Sequence, residues 1–272
     1  MFAKPLNFYL RMRLFTISLA VLFLMGWAAP SEYGDAQDAK PSAVPILVEL
    51  FTSEGCSSCP PADALLQQLD ASQPVSGAQI IVLSEHVDYW DHDGWKDPYS
   101  ARFLTERQES YVRALGLSTS YTPQLIVDGT TELRGDSEHL SRTFKEAQSA
   151  PKIAINIGSV TVEGAPTPTV YGHIDADGRS ARHGADVFVA LAIDHAESNV
   201  LGGENRGRNL KHVAVVQSLT KIGRLEKGRV FNRAFAVKLP PKMLSANLRI
   251  VVFAQEPSPG KVLAAAMWKS TM

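Results

Sequence analysis

The chain has 272 residues, of which 45% are hydrophobic and 20% are charged. This composition supplies enough apolar material for folded cores and makes a globular protein the default expectation. The 27 Lys and Arg residues nearly balance the 28 Asp and Glu residues, so the sequence lacks the basic surplus that nucleic-acid binding requires. With only two cysteines, a disulfide-stapled scaffold and a metal site of three or four thiolates are excluded.

Residues 1–28 have the pattern of a secretory signal peptide. Basic residues precede an apolar run from Leu14 to Ala29, and small residues allow cleavage after Ala28. The run is shorter than the roughly 20 residues of a bilayer span. We therefore expect a secreted or periplasmic protein, with no stable membrane insertion after cleavage, in a compartment where disulfides persist. Residues 29–45 are predicted to be a flexible lead-in.

Residues 46–150 are predicted to form a thioredoxin-like α/β domain, with a mixed sheet flanked by helices. Two features support this fold class beyond the order of elements: a CxxC motif between the first strand and its helix, and a Thr-Pro dipeptide before the third strand. Apolar runs and helical spacing predict the order strand, helix, strand, helix, strand, strand, helix. The predicted strands include residues 46–51, 79–84 and 124–128, and the later helices cover residues 100–116 and 137–150.

After Pro151 the pattern changes to short alternating segments separated by polar turns. Such segments are typical of an antiparallel β-sandwich. We therefore predict a mainly antiparallel β-sandwich-like domain over residues 151–272. Its strands are predicted at residues 153–162, 169–174, 186–193, 211–219, 230–239, 248–253 and 261–268.

Cys56 and Cys59 stand at the start of a predicted helix, with two residues between them. Unpaired amide groups and the positive helix end stabilise a thiolate there, so Cys56 is predicted to be the nucleophile. Cys59, one turn further on, can attack a mixed disulfide formed at Cys56 and release the substrate. So short a loop gains little stability from a cross-link, which favours disulfide exchange over a purely structural bond.

Further residues are predicted to support this chemistry. If Pro123 is cis, the backbone before it is free to pair with an extended substrate segment, which makes Thr122 and Pro123 substrate-positioning residues. Nearby carboxylates would raise a thiol pKa or carry the proton of Cys59. The acidic candidates are Glu49, Glu54, Glu85, Asp88, Asp91 and Asp93.

The loop predicted over residues 85–98 is rich in His, Asp and Trp. With two thiolates, His86 would complete a Cu(I) or Zn(II) site, which is an alternative to exchange chemistry. Trp90 and Trp95 are alternatively predicted to pack over the helix edges, with their polar neighbours in solvent. We expect no bound cofactor.

A glycine-rich loop at residues 202–212 does not follow the strand-to-helix pattern of a phosphate loop. It is predicted to be an interdomain contact, a recognition loop that carries Arg206, Arg208 and His212, or a structural turn.

Residues 48–63, 86–90, 94–98, 121–124 and 203–208, taken together, resemble a family of bacterial secreted proteins catalogued as domain of unknown function 1223. The resemblance implies a thioredoxin-like first domain and a family-specific second half. It supplies no substrate and no catalytic residue, so the functional prediction rests on the dithiol.

The leading hypothesis is an exported thiol-disulfide oxidoreductase whose partners are protein or small-molecule thiols and disulfides. The alternatives are a periplasmic metallochaperone that uses Cys56, Cys59 and His86, and a non-catalytic binding module. The sequence does not predict an oligomeric state.

Overall fold

A computed structural model of the chain describes residues 43–134, 137–164, 166–241 and 243–270. The predicted signal peptide and most of the predicted lead-in lie outside these ranges. Within the described ranges, no helix combines the length and apolar character that crossing a membrane requires.

The first half of the chain contains every strand and helix that the sequence predicts for it. The first strand starts two residues earlier than predicted, and the second continues through Glu85 and His86, which were expected in a loop. The elements are β1 (Val44–Thr52), α1 (Pro60–Ser72), β2 (Ala78–His86), α2 (Arg102–Ala114), β3 (Gln124–Val127), β4 (Thr131–Leu133) and α3 (Ser137–Ser149).

The second half contains all seven predicted strands. Two of them, of 15 and 17 residues, are much longer than their apolar segments indicated. The strands are β5 (Ile155–Glu163), β6 (Thr169–Asp177), β7 (Ala185–Asn199), β8 (Asn209–Leu225), β9 (Val230–Lys238), β10 (Leu248–Gln255) and β11 (Val262–Lys269).

Strands from both halves form one mixed sheet of eight strands, in the order β11-β10-β7-β8-β2-β1-β3-β4. The halves join where β8 runs parallel to β2, at the pair Ser84 and Val215. The predicted fold class, a thioredoxin-like domain followed by a separate β-sandwich-like domain, is therefore wrong. At this pair, β8 occupies part of the polar backbone edge that β2 would otherwise expose. Hydrophobic alternation predicts a strand but does not identify the neighbour it pairs with.

The three remaining strands form a second sheet in the order β5-β6-β9. Its inner face packs against the far end of the large sheet, where Val170, Ile174 and Phe231 meet Val189 and Ile250 in one core. Two sheet layers are thus present in the second half, and one of them is shared with the first half.

The two faces of the large sheet carry different helices in the first half. On one face, Val48 and Leu50 of β1 pack with Leu66 of α1. On the other face, Leu47 packs with Leu104 of α2. Because successive strand residues point to opposite faces, neighbouring side chains on β1 and β2 belong to different environments.

Candidate active site

Cys56 and Cys59 are joined by a disulfide at the start of α1. Cys59 is the N-cap residue of the helix, and its carbonyl oxygen accepts hydrogen bonds from the amides of Ala62 and Asp63, at 2.9 and 3.1 Å. Both cysteines have 0% exposed surface, although the two serines between them are exposed. A reaction partner can therefore reach either sulfur only after a covering group has moved.

A loop between β7 and β8, residues 200–208, holds the CxxC segment in place, and we call it the clasp loop. The side-chain amide of Asn205 donates to the carbonyl oxygens of Glu54 and Cys56, at 2.8 and 2.9 Å. The next residue back, Glu204, accepts a hydrogen bond of 2.9 Å from the amide of Ser57. These bonds join the second half of the chain to the first. The glycine-rich loop therefore has the first of its three predicted roles, a contact between the two halves.

Glycines allow the clasp loop to approach its neighbour backbone to backbone. A Cβ atom at Gly202 would lie 2.2 Å from the carbonyl oxygen of Gly94. Gly203, with a φ of +65°, packs beside Trp95 and the backbone of Asp93. The clasp loop thus also fixes the loop that follows β2.

Five buried ionisable residues lie together next to the CxxC segment, and we call them the buried ionisable cluster. His86 Nδ1 lies 2.7 Å from Asp97 Oδ2, and the rings of His86 and His212 are 4.7 Å apart. His212 faces two carboxylates, with Nε2 at 3.3 Å from Glu54 Oε1 and Nδ1 at 3.8 Å from Asp63 Oδ1. Each of the five is at most 5% exposed.

Polar and aromatic neighbours hold Glu54 and the two imidazoles in position. Glu54 Oε2 accepts hydrogen bonds from Trp95 Nε1 at 2.8 Å and from Ser198 Oγ at 3.2 Å. The ring of Tyr99 lies edge-on to both histidine rings, at 5.4 and 6.0 Å. Groups from four different segments of the chain therefore converge on this cluster.

Interactions within the cluster shift the pKa values of two of its members, His212 and Asp97. Burial by itself lowers the pKa of His212, but the interactions with Asp63 and Glu54 outweigh burial and raise that pKa to about 9. Burial raises the pKa of Asp97, and the charge and hydrogen bond of His86 more than offset it, so that the pKa falls below its usual value. His212 is accordingly an imidazolium at neutral pH.

The predicted substrate-positioning residues lie near the CxxC segment through Trp90. The Thr122–Pro123 peptide bond is cis, which is the condition on which the predicted positioning role depends. Trp90 Nε1 donates a 2.7 Å hydrogen bond to Thr122 Oγ1, and a Cβ atom at Gly55 would lie 3.1 Å from Trp90 Cβ. Trp90 therefore bonds the Thr122 hydroxyl through its indole and lies against Gly55 through its Cβ atom and its carbonyl oxygen.

Glu49 and Glu85 lie on the opposite face of the sheet, away from α1. Both carboxylates form ion pairs with the buried guanidinium of Arg107 on α2, and Glu49 also accepts a hydrogen bond from the hydroxyl of Tyr111. Burial and the neighbouring Glu49 carboxylate raise the pKa of Glu85 well above its usual range. These two predicted supporting residues belong to a buried network that anchors α2.

Asp88 and Asp91 stabilise the loop that follows β2. Asp88 accepts a hydrogen bond of 2.6 Å from Thr105 Oγ1 of α2. Asp91 accepts one of 2.8 Å from Ser100 Oγ. Asp93 contributes its backbone to the approach of Gly203. Asp91 Oδ1 also accepts a hydrogen bond of 3.2 Å from the backbone amide of Asp97, and through it this loop is tied to the buried ionisable cluster.

The metal alternative gains no support from this arrangement. Cys56 and Cys59 are bonded to each other, and His86 Nδ1 is paired with Asp97. Across the described ranges, no group of three or more His, Cys, Asp or Glu residues is placed to hold a metal ion.

Sequence reasoning gave no role to Asp63, Asp97 and Asn205, and for the loop with His212 it left an interdomain contact, a recognition loop and a structural turn open. Asp63 carried a usable signal, because a residue four positions after Cys59 lies on the same face of the helix. Asn205 and His212 carried none, since their contacts depend on how the two halves of the chain pair.

Comparisons with known proteins describe the chain's relatives. The model of the family described as "Protein of unknown function (DUF1223)" matches residues 47–255. A crystal structure of a protein from Agrobacterium tumefaciens is similar at 28% identity and a TM-score of 0.58, covering 84% of this chain and 96% of that one. HBP35 of Porphyromonas gingivalis has a TM-score of 0.61 over 84% of this chain and 75% of its own, and its 12% identity makes this a likeness of fold alone. No curated protein matches the chain.

Proposed function

We propose that this chain, which belongs to the DUF1223 family of proteins of unknown function, is an exported thiol-disulfide oxidoreductase acting through Cys56 and Cys59. The observation that carries the proposal is a CxxC disulfide at a helix N-terminus, beside the buried ionisable cluster. Perturbed ionisable groups beside a redox-capable pair are typical of reactive sites. Its substrates are protein or small-molecule thiols and disulfides.

In the reduced protein, the Cys56 thiolate attacks one sulfur of a substrate disulfide, and the other substrate sulfur leaves as a thiolate. The Cys59 thiolate then attacks Cys56 in the mixed disulfide, which forms the Cys56–Cys59 bond and releases the substrate as a dithiol. Two electrons pass to the substrate, and the two protons of the dithiol follow them. The oxidised protein runs the same steps in reverse on a substrate dithiol.

Thr122 and Trp90 support a docking role beside the reactive pair. The Thr122 hydroxyl is held by the indole of Trp90, and the Cβ atom and carbonyl oxygen of the same tryptophan lie against Gly55. An extended substrate segment paired with the backbone near Thr122 would lie beside the CxxC segment, in the manner of an added strand.

The test is mixed-disulfide trapping with Cys59→Ser. Cys56 can then form a mixed disulfide that nothing resolves, so covalent adducts with exported proteins or small thiols accumulate on non-reducing gels and in intact-mass spectra. Cys56→Ser is the matched control and traps no adduct by this route, because it lacks the attacking thiol. Adducts absent from Cys59→Ser would contradict the proposal. Metal binding lost in that variant without trapping would favour the metallochaperone, and unchanged partner binding would favour the binding module.

A further inference from the structure

The buried ionisable cluster contains an unusual concentration of unsatisfied polar atoms. Glu54 Oε1, both carboxylate oxygens of Asp63, His86 Nε2 and both ring nitrogens of His212 form no hydrogen bond within the described ranges. Glu54 Oε1 and Asp63 Oδ1 are ion-paired with the ring of His212, at 3.3 and 3.8 Å. Buried polar atoms without hydrogen bonds destabilise a fold and call for an explanation. These atoms do not stabilise the fold, so the cluster needs another explanation. A role in proton transfer provides one.

The cluster is connected to both cysteines through the backbone. Asp63 follows Cys59 by one helical turn, and its amide donates to the Cys59 carbonyl oxygen at 3.1 Å. Glu54 precedes Cys56 by two residues, and the carbonyl oxygens of both share the Asn205 amide. His212 reaches both carboxylates from β8, so the second half of the chain supplies the only cationic partner that the described contacts give them.

On the basis of the proposed function, we propose that His212 is a positioning residue that stores a proton for the Cys56–Cys59 pair. When a substrate thiolate attacks Cys56, the disulfide breaks and Cys59 leaves with the bonding electron pair. The proton of His212 then passes through Asp63 to the Cys59 sulfur, and His212 regains a proton from solvent. Reoxidation returns the Cys59 proton by the reverse path.

The charges around the pair explain why a cation is required. A thiolate formed at Cys59 would be disfavoured by the Asp63 carboxylate, which belongs to the residue one helical turn further on, and by the Glu54 carboxylate that faces the same histidine. Like charges in a buried site repel each other strongly. An imidazolium between those carboxylates offsets their charge and supplies the proton. The titratable groups that face His212, directly or through its neighbours, are Glu54 before α1, Asp63 on α1, His86 at the end of β2 with its partner Asp97, and Tyr99.

The experiment measures reduction of the oxidised protein by dithiothreitol between pH 6 and pH 10, for wild type and His212→Asn. At any given pH both proteins react with dithiothreitol of the same ionisation state, so the ionisation of the reagent cancels in the ratio of the two rates. We expect the variant to react at least about tenfold more slowly at pH 7, within the range of proton-transfer effects. The ratio should approach one above the pH at which His212 loses its proton. His195→Asn is the matched control, because that histidine is 74% exposed.

Asp63→Asn keeps the inference testable if His212→Asn does not fold. Because the proposed path runs through Asp63, Asp63→Asn should slow reduction at pH 7 as His212→Asn does. The loss of one carboxylate partner of His212 should also move the break that remains in the pH profile to lower pH, which a merely structural role would not do. Rates of His212→Asn within twofold of wild type at every pH, or an unmoved break in Asp63→Asn, would overturn the inference. Failure of the proposed function shows separately, as an absence of trapped adducts in Cys59→Ser with an intact dithiothreitol profile.

Discussion

The side-chain amide of Asn205 donates a hydrogen bond of 2.9 Å to the carbonyl oxygen of Cys56, although 149 positions separate the two residues. The same amide bonds the carbonyl oxygen of Glu54, and Asn205 is fully buried. One side chain from the second half of the chain therefore defines the backbone path into the CxxC motif.

Replacing Asn205 with Ala should loosen that motif. Buried carbonyl groups lose their donor, so we expect the free energy of unfolding to fall by about 1–3 kcal/mol. The disulfide should also react faster with dithiothreitol, because the clasp loop no longer holds the segment that covers it. Urea unfolding and thiol release measure the two effects. Asn209→Ala is the control, since the Asn209 side chain bonds the exposed Asn199. Equal behaviour of the two variants would count against the role of the clasp loop.

Gly202→Ala tests the backbone contact between the clasp loop and the loop after β2. The added Cβ would lie 2.2 Å from the carbonyl oxygen of Gly94, so the two loops must separate. We expect a loss of about 1–3 kcal/mol from overpacking, together with faster proteolysis of both loops. Gly207→Ala is the comparison, because its φ is +80° and a Cβ there meets no atom within 4 Å. That variant should lose only the roughly 1 kcal/mol of an unfavourable φ and leave the loop after β2 protected.

His212 should make stability depend on pH in a defined direction. Its pKa is about 9 in the folded protein against an ordinary value of 6.5. A raised pKa adds stability that is complete below pH 6.5 and is lost as the pH rises through about 9. The gap in unfolding free energy between wild type and His212→Asn should therefore shrink, by on the order of 1–3 kcal/mol, between pH 6 and pH 10. A gap of the same size at both pH values would show that His212 contributes only packing.

The network on the opposite face predicts contrasting effects for two substitutions. Arg107→Met leaves Glu49 buried without its cation and should destabilise the fold by about 3–5 kcal/mol. Glu85→Gln should cost less than Arg107→Met, because burial and the neighbouring Glu49 carboxylate raise the pKa of Glu85 and so weaken its preference for the charged form. Urea unfolding of both variants checks this pair, and a loss in Glu85→Gln as large as that in Arg107→Met would contradict the expectation.

Local features of the sequence predicted much of the site. The CxxC motif at a helix start, the Thr-Pro dipeptide before the third strand and the individual strands are all recognised from residues that are close in sequence. The pairing of β8 with β2 depends on which edge each strand finds during folding, and hydrophobic alternation carries no information about that choice. Asn205 and His212 reach the site only through this pairing, which is why they were missed and why the two-domain fold class was wrong.

The positions of Glu49 and Glu85 show a second limit of prediction from sequence. Their sequence positions place them close to the CxxC motif along β1 and β2, and we expected them to approach the dithiol. The alternation of strand side chains sends both to the α2 face, where Arg107 pairs with them. Asp63, in contrast, could have been found by its helical spacing from Cys59 alone.

The reduction potential of the Cys56–Cys59 pair tests the central claim most directly. Purified mature protein, free of metal, would be equilibrated with glutathione or dithiothreitol buffers and its thiols counted. Exchange chemistry predicts a potential between about −270 and −120 mV, the range of known disulfide-exchange catalysts, and the value would also indicate the direction of electron transfer. A pair that stays oxidised well below about −300 mV would contradict the account and identify the disulfide as a structural bond.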